Sequence, residues 1–163
     1  MLFDKNNKLL KCQNKLYRFA LSLTNDANDA KDILQETILK LLEKRNEWNR
    51  FDNFEAYAMR SVRNTYLNDR KKWGNARVIP IDVSLEFEEE NEIEKKMNIS
   101  DLRNDFNRII AKLPEIQKQV LYLREIEEME YKAISDVLSI SETQVKVYIF
   151  RGRQFIKKQR YEK

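Results

Sequence analysis

The sequence predicts an all-α protein of two small helical domains joined by an acidic extended linker, and three observations carry that prediction. Glycine and proline occur only twice each in 163 residues, far below their usual frequencies of about 7% and 5%, which favours long helices over turn-rich sheets. Apolar residues recur at helical spacing over most of the chain. Charge comes in blocks: residues 1–72 carry 15 basic and 10 acidic side chains, residues 73–100 carry 3 and 7, and residues 101–163 carry 13 and 10. Two basic blocks around an acidic one suggest two polyanion-facing modules, although solvated helix faces would give the same counts.

Composition also excludes. No histidine is present, which removes histidine acid–base chemistry and the common zinc sites. No Gly-rich phosphate loop stands out, so an enzyme is not expected, and neither is a metal or cofactor. Cys12 is the single cysteine, so no intramolecular disulfide can form and a reducing cytoplasm fits. No signal-peptide pattern and no apolar run of membrane-spanning length stands out, so neither export nor membrane spanning is expected.

The first domain, residues 1–73, reads as three helices. Residues Asn6 to Leu23 place Leu9, Leu16, Phe19, Ala20 and Leu23 in one pattern, which Asn25 and Asp26 break. A second helix is expected from Ala27 to Trp48 and a third from Asn53 to Lys72, with NEWNRFDN as a loop rich in turn formers and aromatics. Residues 74–99 lack a sustained period, contain Gly74 and Pro80, and read as the linker, with a short helix near Glu89 to Met97. The last domain, residues 100–163, should hold helices at 100–112, 115–125, 130–138 and 142–159, with Pro114 at a helix start, where its missing N–H costs little.

Three patterns carry chemistry. In the second helix Ala30, Leu34, Ile38 and Leu41 form a core stripe. Asp32, Gln35, Glu36 and Leu39 lie on the other side at i, i+3, i+4 and i+7. Carboxylates around an exposed leucine suit docking onto a basic helix; an ordinary solvated face is the plainer reading. In the third helix Arg60, Arg63 and Arg70 share a side, Lys71 and Lys72 follow, and Trp48, Arg50, Phe51, Asn53, Phe54 and Tyr57 precede. Cations neutralise phosphates and aromatics stack on unpaired bases, while aromatics at a loop–helix junction also serve as core.

The third pattern is SISETQVKVYIFRGR, Ser139 to Arg153. After the apolar segment Tyr131 to Leu138, Ser141 can cap a new helix. Val145, Ile149, Gly152 and Ile156 make its buried stripe, with Gly152 marking a close helix approach. Thr143, Lys146, Val147, Phe150 and Lys157 project oppositely. Two helices joined by so short a turn fit a helix-turn-helix. Its second helix lies in the major groove, with Glu142, Thr143, Lys146 and Val147 at base edges and Arg151, Arg153, Lys157 and Lys158 on phosphates. A helical hairpin with a basic tail is the alternative.

Taken in order, these segments resemble a sigma factor of the extracytoplasmic-function (ECF) group, in the sigma-70 family of RNA polymerase subunits. LYRFALSLTNDANDAKDILQETILKLLEKRNEW resembles the start of that family's second region, FDNFEAYAMRSVRNTYLNDRKK its promoter-melting part, and LPEIQKQVLYLREIEEMEYKAISDVLSISETQVKVYIFRGRQFIKK its fourth region. The resemblance implies that Asp32, Gln35, Glu36 and Leu39 dock on the β′ coiled coil of core polymerase. Trp48, Arg50, Phe51, Asn53, Phe54, Tyr57, Arg60, Arg63, Asn64 and Lys71 would capture and hold the single-stranded −10 element. Ser141, Glu142, Thr143, Lys146, Val147, Arg151, Arg153 and Lys157 would engage duplex −35 DNA, while their module meets the β flap. It also implies an anti-sigma partner, with no membrane insertion and no small-molecule substrate.

Extruding a base costs a few kcal/mol and stacking returns about 1–3 kcal/mol per base, so one or two captured bases can tip melting at a chosen sequence. Ser139 stands where many relatives have Gly, Gly152 where Ala is common, Asn68 where Asp is common, and Tyr148 replaces a frequent Arg or Asn. A helix-turn-helix regulator with a helical partner-binding domain, or a protein-binding adaptor, would share parts of this pattern but not all of it.

Overall fold

The computed structural model describes residues 2–73 and 105–161, with side chains over 7–70 and 105–160. The expected linker, its short helix near Glu89 to Met97, and the start of the helix expected at 100–112 lie outside the described residues. Within them all regular structure is helical.

Helix α1 (Leu2–Thr24) buries Leu9, Leu16, Phe19, Ala20 and Leu23 as its spacing requires, with Cys12 on the same stripe. Burial pushes the Cys12 thiol up to about 11. The expected break is present in detail. Asn25 adopts a left-handed φ of 57°, and Asp26 caps α2 (Ala27–Glu43), its carboxylate accepting from the Asn28 and Asp29 amides at 2.9 and 3.0 Å. That satisfies two of the amides a helix start leaves unpaired.

Helix α2 is shorter than its periodicity suggests. It stops at Glu43, and Arg45–Arg50 forms a 3₁₀ turn. Trp48 folds back there so that its indole N–H donates to the Leu41 carbonyl at 2.9 Å, an acceptor at the helix end that also takes the Lys44 N–H at 3.1 Å. Helix α3 (Phe54–Trp73) is capped by Asn53, whose side-chain oxygen accepts from the Ala56 amide at 3.0 Å.

In the second module residues 105–110 are helical (α4), and Pro114 is the residue at the mouth of α5 (Glu115–Leu121), its carbonyl accepting from Lys118 N–H. The expected continuation to residue 125 is instead a wider π-helical turn, Tyr122–Ile126. Helices α6 (Tyr131–Leu138) and α7 (Glu142–Tyr161) follow. Their junction is tight because Ser139 takes φ 56°, ψ 44° and the Ser135 hydroxyl donates to the Ile140 carbonyl at 2.7 Å. Ser141 and Gln144 then form a reciprocal capping box, Gln144 N–H on Ser141 Oγ at 3.1 Å and Ser141 N–H on Gln144 Oε1 at 3.0 Å.

The two modules are packed together. α3 lies against α1 and α2 on one side and α6 on the other. A single apolar core runs from Leu16, Phe19 and Met59 into Leu123, Ile134 and Ile149. A smaller cluster, Ile110, Leu113 and Leu121 with Phe155 and Ile156, seats α7 on α5. There Gly152 is needed for close approach, since a Cβ would meet Leu121 Cδ1 at 2.5 Å.

Ser139 holds the left-handed conformation without glycine's freedom. Relief of about 1–2 kcal/mol of strain, less about 0.5–1 kcal/mol for glycine's entropy in the unfolded chain, gives a net gain. Ser139→Gly is therefore expected to raise unfolding free energy by about 0.5–1 kcal/mol in chemical denaturation, and unchanged stability would mean the turn is already relaxed.

Candidate nucleic-acid interface

The acid–amide face of α2 is open. Asp32, Gln35 and Leu39 are exposed, Leu39 at 63%, and half-buried Glu36 pairs with Lys40 at 3.5 Å. An exposed i,i+4 pair is worth only a few tenths of a kcal/mol, so it leaves the carboxylate free to exchange partners. The buried face of the same helix is Ala30, Ile33, Leu34, Thr37 and Leu41, with Ile38 partly buried against the core.

The aromatic loop divides into two groups. Trp48, expected among the base-capturing residues, is fully buried and packs its ring 4.6 Å from Phe54. It presents no surface to a base, because its single polar group is satisfied by Leu41 and its ring closes the core. Phe54 is partly buried with it. Phe51 and Tyr57 are different: both are only part-buried and stack at 3.8 Å with 13° between their planes. Arg50, Asn53, Arg60 and Asn64 are exposed nearby, although the Asn53 side chain also serves its cap. The Lys71 side chain lies outside the described residues.

Arg63, expected at the DNA-holding face, is half-buried and held by the second module. Its Nε donates to Gln119 Oε1 at 2.9 Å and its Nη1 to the Leu138 carbonyl at 3.5 Å; burial pushes its pKa down. Arg70 donates to Glu115 at 2.6 Å, and the Tyr66 hydroxyl to the same carboxylate at 3.3 Å. A row of α3 donors that would suit phosphates is thus occupied by groups of α5 and α6.

A second polar joint lies beyond it. Arg18 on α1 makes two parallel bonds to Glu127, each 3.0 Å, and the Tyr122 hydroxyl adds a third at 2.9 Å. The Glu127 side chain is 1% exposed. The hydrogen bond to Glu127 raises the Arg18 pKa. Sequence reading missed Arg18, Glu115, Gln119 and Glu127. In the acidic run EIEEMEY nothing separates the buried carboxylate from its exposed neighbours.

On α7 the stripe of Val145, Ile149 and Gly152 is buried as its period requires, and Glu142, Thr143, Lys146, Val147, Arg151 and Lys157 are exposed. Ser141 is exposed but engaged as the cap. Arg153 turns back to Glu125 at 2.8 Å. Phe150, not among the residues assigned to base edges or phosphates, is 65% exposed.

With Arg18 removed, Glu127 keeps a charge with most of its solvation gone. Arg18→Ala is expected to cost about 2–3 kcal/mol, below the full range for breaking a buried pair because Arg18 keeps a third of its surface in water. Arg18→Met combined with Glu127→Gln should recover more than half of that. Additive losses in the double variant would show that the two side chains are not coupled.

Known proteins sharing these features converge on one family. The models for sigma-70 region 2 and sigma-70 region 4 match residues 9–75 and 103–156. The chain is 26% identical over 144 residues to the ECF RNA polymerase sigma factor SigM of Bacillus subtilis, covering 88% of this chain and 87% of SigM. It is 28% identical over 160 residues to the RNA polymerase sigma-H factor of Pseudomonas aeruginosa, covering 92% and 82%. In fold it is similar to the sigma factor RpoE of Bartonella quintana, solved with the anti-sigma factor NepR (TM-score 0.74, 19% identity, 95% of each chain). It is also similar to CnrH, solved with the cytosolic domain of CnrY (TM-score 0.64, 17% identity, 98% and 88%).

Proposed function

The chain belongs to the sigma-70 family and is an RNA polymerase sigma factor of the ECF group, and from that premise we propose how its surfaces divide the work of promoter recognition. The observation that carries the proposal is the joint match of regions 2 and 4, in order, to the two helical modules. Core polymerase supplies the bond-making chemistry, and this chain supplies address and melting. It acts beside the polymerase in the cytoplasm; no helix among the described residues is long and apolar enough to cross a membrane.

Asp32, Gln35, Glu36 and Leu39 dock on the β′ coiled coil, an apolar anchor ringed by acceptors for basic partners. The stacked pair Phe51 and Tyr57, with Arg50 beside it, offers the surface on which a base leaving the −10 duplex can lie. Arg60, Arg63, Asn64 and Lys71 then hold the backbone. Trp48 and Phe54, packed on each other in the core, anchor the loop that carries that surface. Helix α7 enters the −35 major groove with Glu142, Thr143, Lys146 and Val147 at base edges and Arg151, Arg153 and Lys157 toward phosphates, while its module meets the β flap. An anti-sigma factor would regulate the chain by covering these same faces.

The packed arrangement places a condition on this sequence of events. Arg63 and Arg70 cannot hold a strand while Gln119, the Leu138 carbonyl and Glu115 occupy them. Engagement of the −10 element therefore requires the second module to withdraw from α3. Core polymerase, by holding the modules at two separate points, supplies the free energy for that withdrawal. Weak promoter binding by the isolated chain follows.

Run-off transcription by purified core polymerase is expected to become promoter-specific only when this chain is added. Tight duplex binding by the chain alone, with no core-dependent initiation on any promoter, would instead mark an ordinary helix-turn-helix regulator. For the docking face, Gln35→Ala with Glu36→Lys is expected to weaken core affinity by about tenfold or more while helical content is unchanged. Unaltered core affinity in that folded variant would move the docking surface elsewhere.

A further inference from the structure

Lys40 sits between the two working faces of the first module and belongs to neither. On α2 it lies about 90° around the helix from the centre of the face formed by Asp32, Gln35, Glu36 and Leu39, on the flank that meets α3. Its ammonium is 3.5 Å from Glu36 Oε1 and 3.5 Å from Thr65 Oγ1 on α3, and 46% of its side-chain surface stays in water. At about 100° per residue, Asn64, Asn68, Ser61 and Thr65 follow one another around α3 within about 100°. Asn64 and Asn68 are exposed. Lys40 therefore approaches α3 beside the face proposed to hold the unwound strand, and its flexible four-carbon stem lets the ammonium swing onto it.

Neither of its contacts accounts for a cation at this place. Thr65 needs no help from Lys40: its hydroxyl donates to the Ser61 carbonyl at 2.9 Å and accepts from Thr37 at 3.2 Å, and both threonines are buried. The pair with Glu36 is an exposed i,i+4 contact and contributes little to stability. It is also built to be broken, because Glu36 belongs to the face that docks on a basic partner. Once that partner takes the carboxylate, Lys40 is left with the Thr65 hydroxyl, an acceptor without charge. The same basic partner repels it toward α3. The anion on that side is then the backbone of the strand lying along Arg60 and Asn64.

We propose that Lys40 is a phosphate contact for the unwound −10 strand, restrained by Glu36 in the free chain and released when Glu36 engages core polymerase. The inference rests on the reading of α2 as the docking helix and α3 as the −10 helix. It adds to that reading a DNA contact made by the docking helix itself. The carboxylate that anchors the chain to polymerase thereby decides when this cation meets DNA. The contact is to the backbone, so it adds affinity for the melted strand and no sequence information.

The experiment measures binding of holoenzyme, reconstituted with core polymerase, to a promoter fork carrying the −10 element as single-stranded non-template DNA, over a range of salt. Lys40→Gln is expected to weaken binding several-fold at low salt. It should also lower the slope of log affinity against log salt by about 0.7, the value for one single-strand phosphate. Lys40→Arg should keep the wild-type slope, and core affinity should be unchanged in both variants. Replacing the strand's phosphates one at a time with uncharged methylphosphonates should weaken the wild type at one position where Lys40→Gln loses nothing. In the free chain at low salt, Lys40→Gln should leave the slope unaltered, because Glu36 still holds the ammonium. A wild-type slope in Lys40→Gln holoenzyme, or equal losses by both proteins at every methylphosphonate, overturns the contact. Lower core affinity would place Lys40 in the docking face and overturns it as well, and an equal slope loss in the free chain overturns its release by docking. If scrambling the −10 element leaves wild-type affinity unchanged, the assignment of α3 to that element fails, and the proposal fails with it.

Discussion

The arrangement of this protein turns on one carboxylate. Glu127 is buried against Tyr122 and reached by Nε and Nη2 of Arg18, which belongs to the other module. A buried charge is tolerated only when paired and hydrogen-bonded, so this group ties the position of the second module to α1. The π-helical turn before it is part of the same solution. By widening the helix after Leu121 it brings Tyr122 and Glu127 within bonding distance, and the Tyr122 ring lies 6.1 Å from Phe19 across the seam. The shared core then closes around this point.

The seam is chemically matched to the promoter strand that we propose replaces it. Glu115 sits on Arg70 and Tyr66, and Gln119 and the Leu138 carbonyl sit on Arg63. These are oxygen acceptors on donors that suit phosphate oxygens equally well. Each backbone phosphate carries one negative charge, as Glu115 does and the Gln119 amide and Leu138 carbonyl do not, and phosphates arrive in a row, so on our proposal a promoter strand replaces them without redesigning the donors. The Arg70–Glu115 pair is half-exposed and contributes little by itself. Apolar packing between α3 and α6 therefore supplies most of the closure, and the polar contacts set its register. A seam of that kind is specific and still reversible.

Much of the fold was legible from residue spacing. Asn25 and Asp26 announced the first break, Ser141 the cap of α7, and Gly152 the close contact now seen with Leu121. Exposure in the candidate site was legible where it follows from helical phase, as at Asp32, Gln35 and Leu39 or along Thr143, Lys146 and Val147. It was not legible where a polar group finds an unexpected partner. Trp48 looked available because an aromatic beside a basic helix suggests stacking, but the Leu41 carbonyl at the end of α2 accepts its N–H and the core closes over its ring. Arg63 looked available because helical phase says nothing about what packs on a face from 56 residues away in sequence. The left-handed turn at Ser139 kept its geometry without glycine because Ser135 and Ile140 hold it from both sides.

The central claim is that one chain exists closed by itself and open on the polymerase. Cys12 is buried, so fluorescent labels can be placed at cysteines introduced at two exposed positions, Asn14 on α1 and Lys132 on α6. Single-molecule energy transfer between them then reads the separation of the modules directly. A single high-transfer population is expected for the free chain, giving way to a low-transfer population in holoenzyme bound to promoter DNA. An unchanged high-transfer population in a complex that initiates transcription would contradict it, because Arg63 and Arg70 would then have remained on the second module throughout.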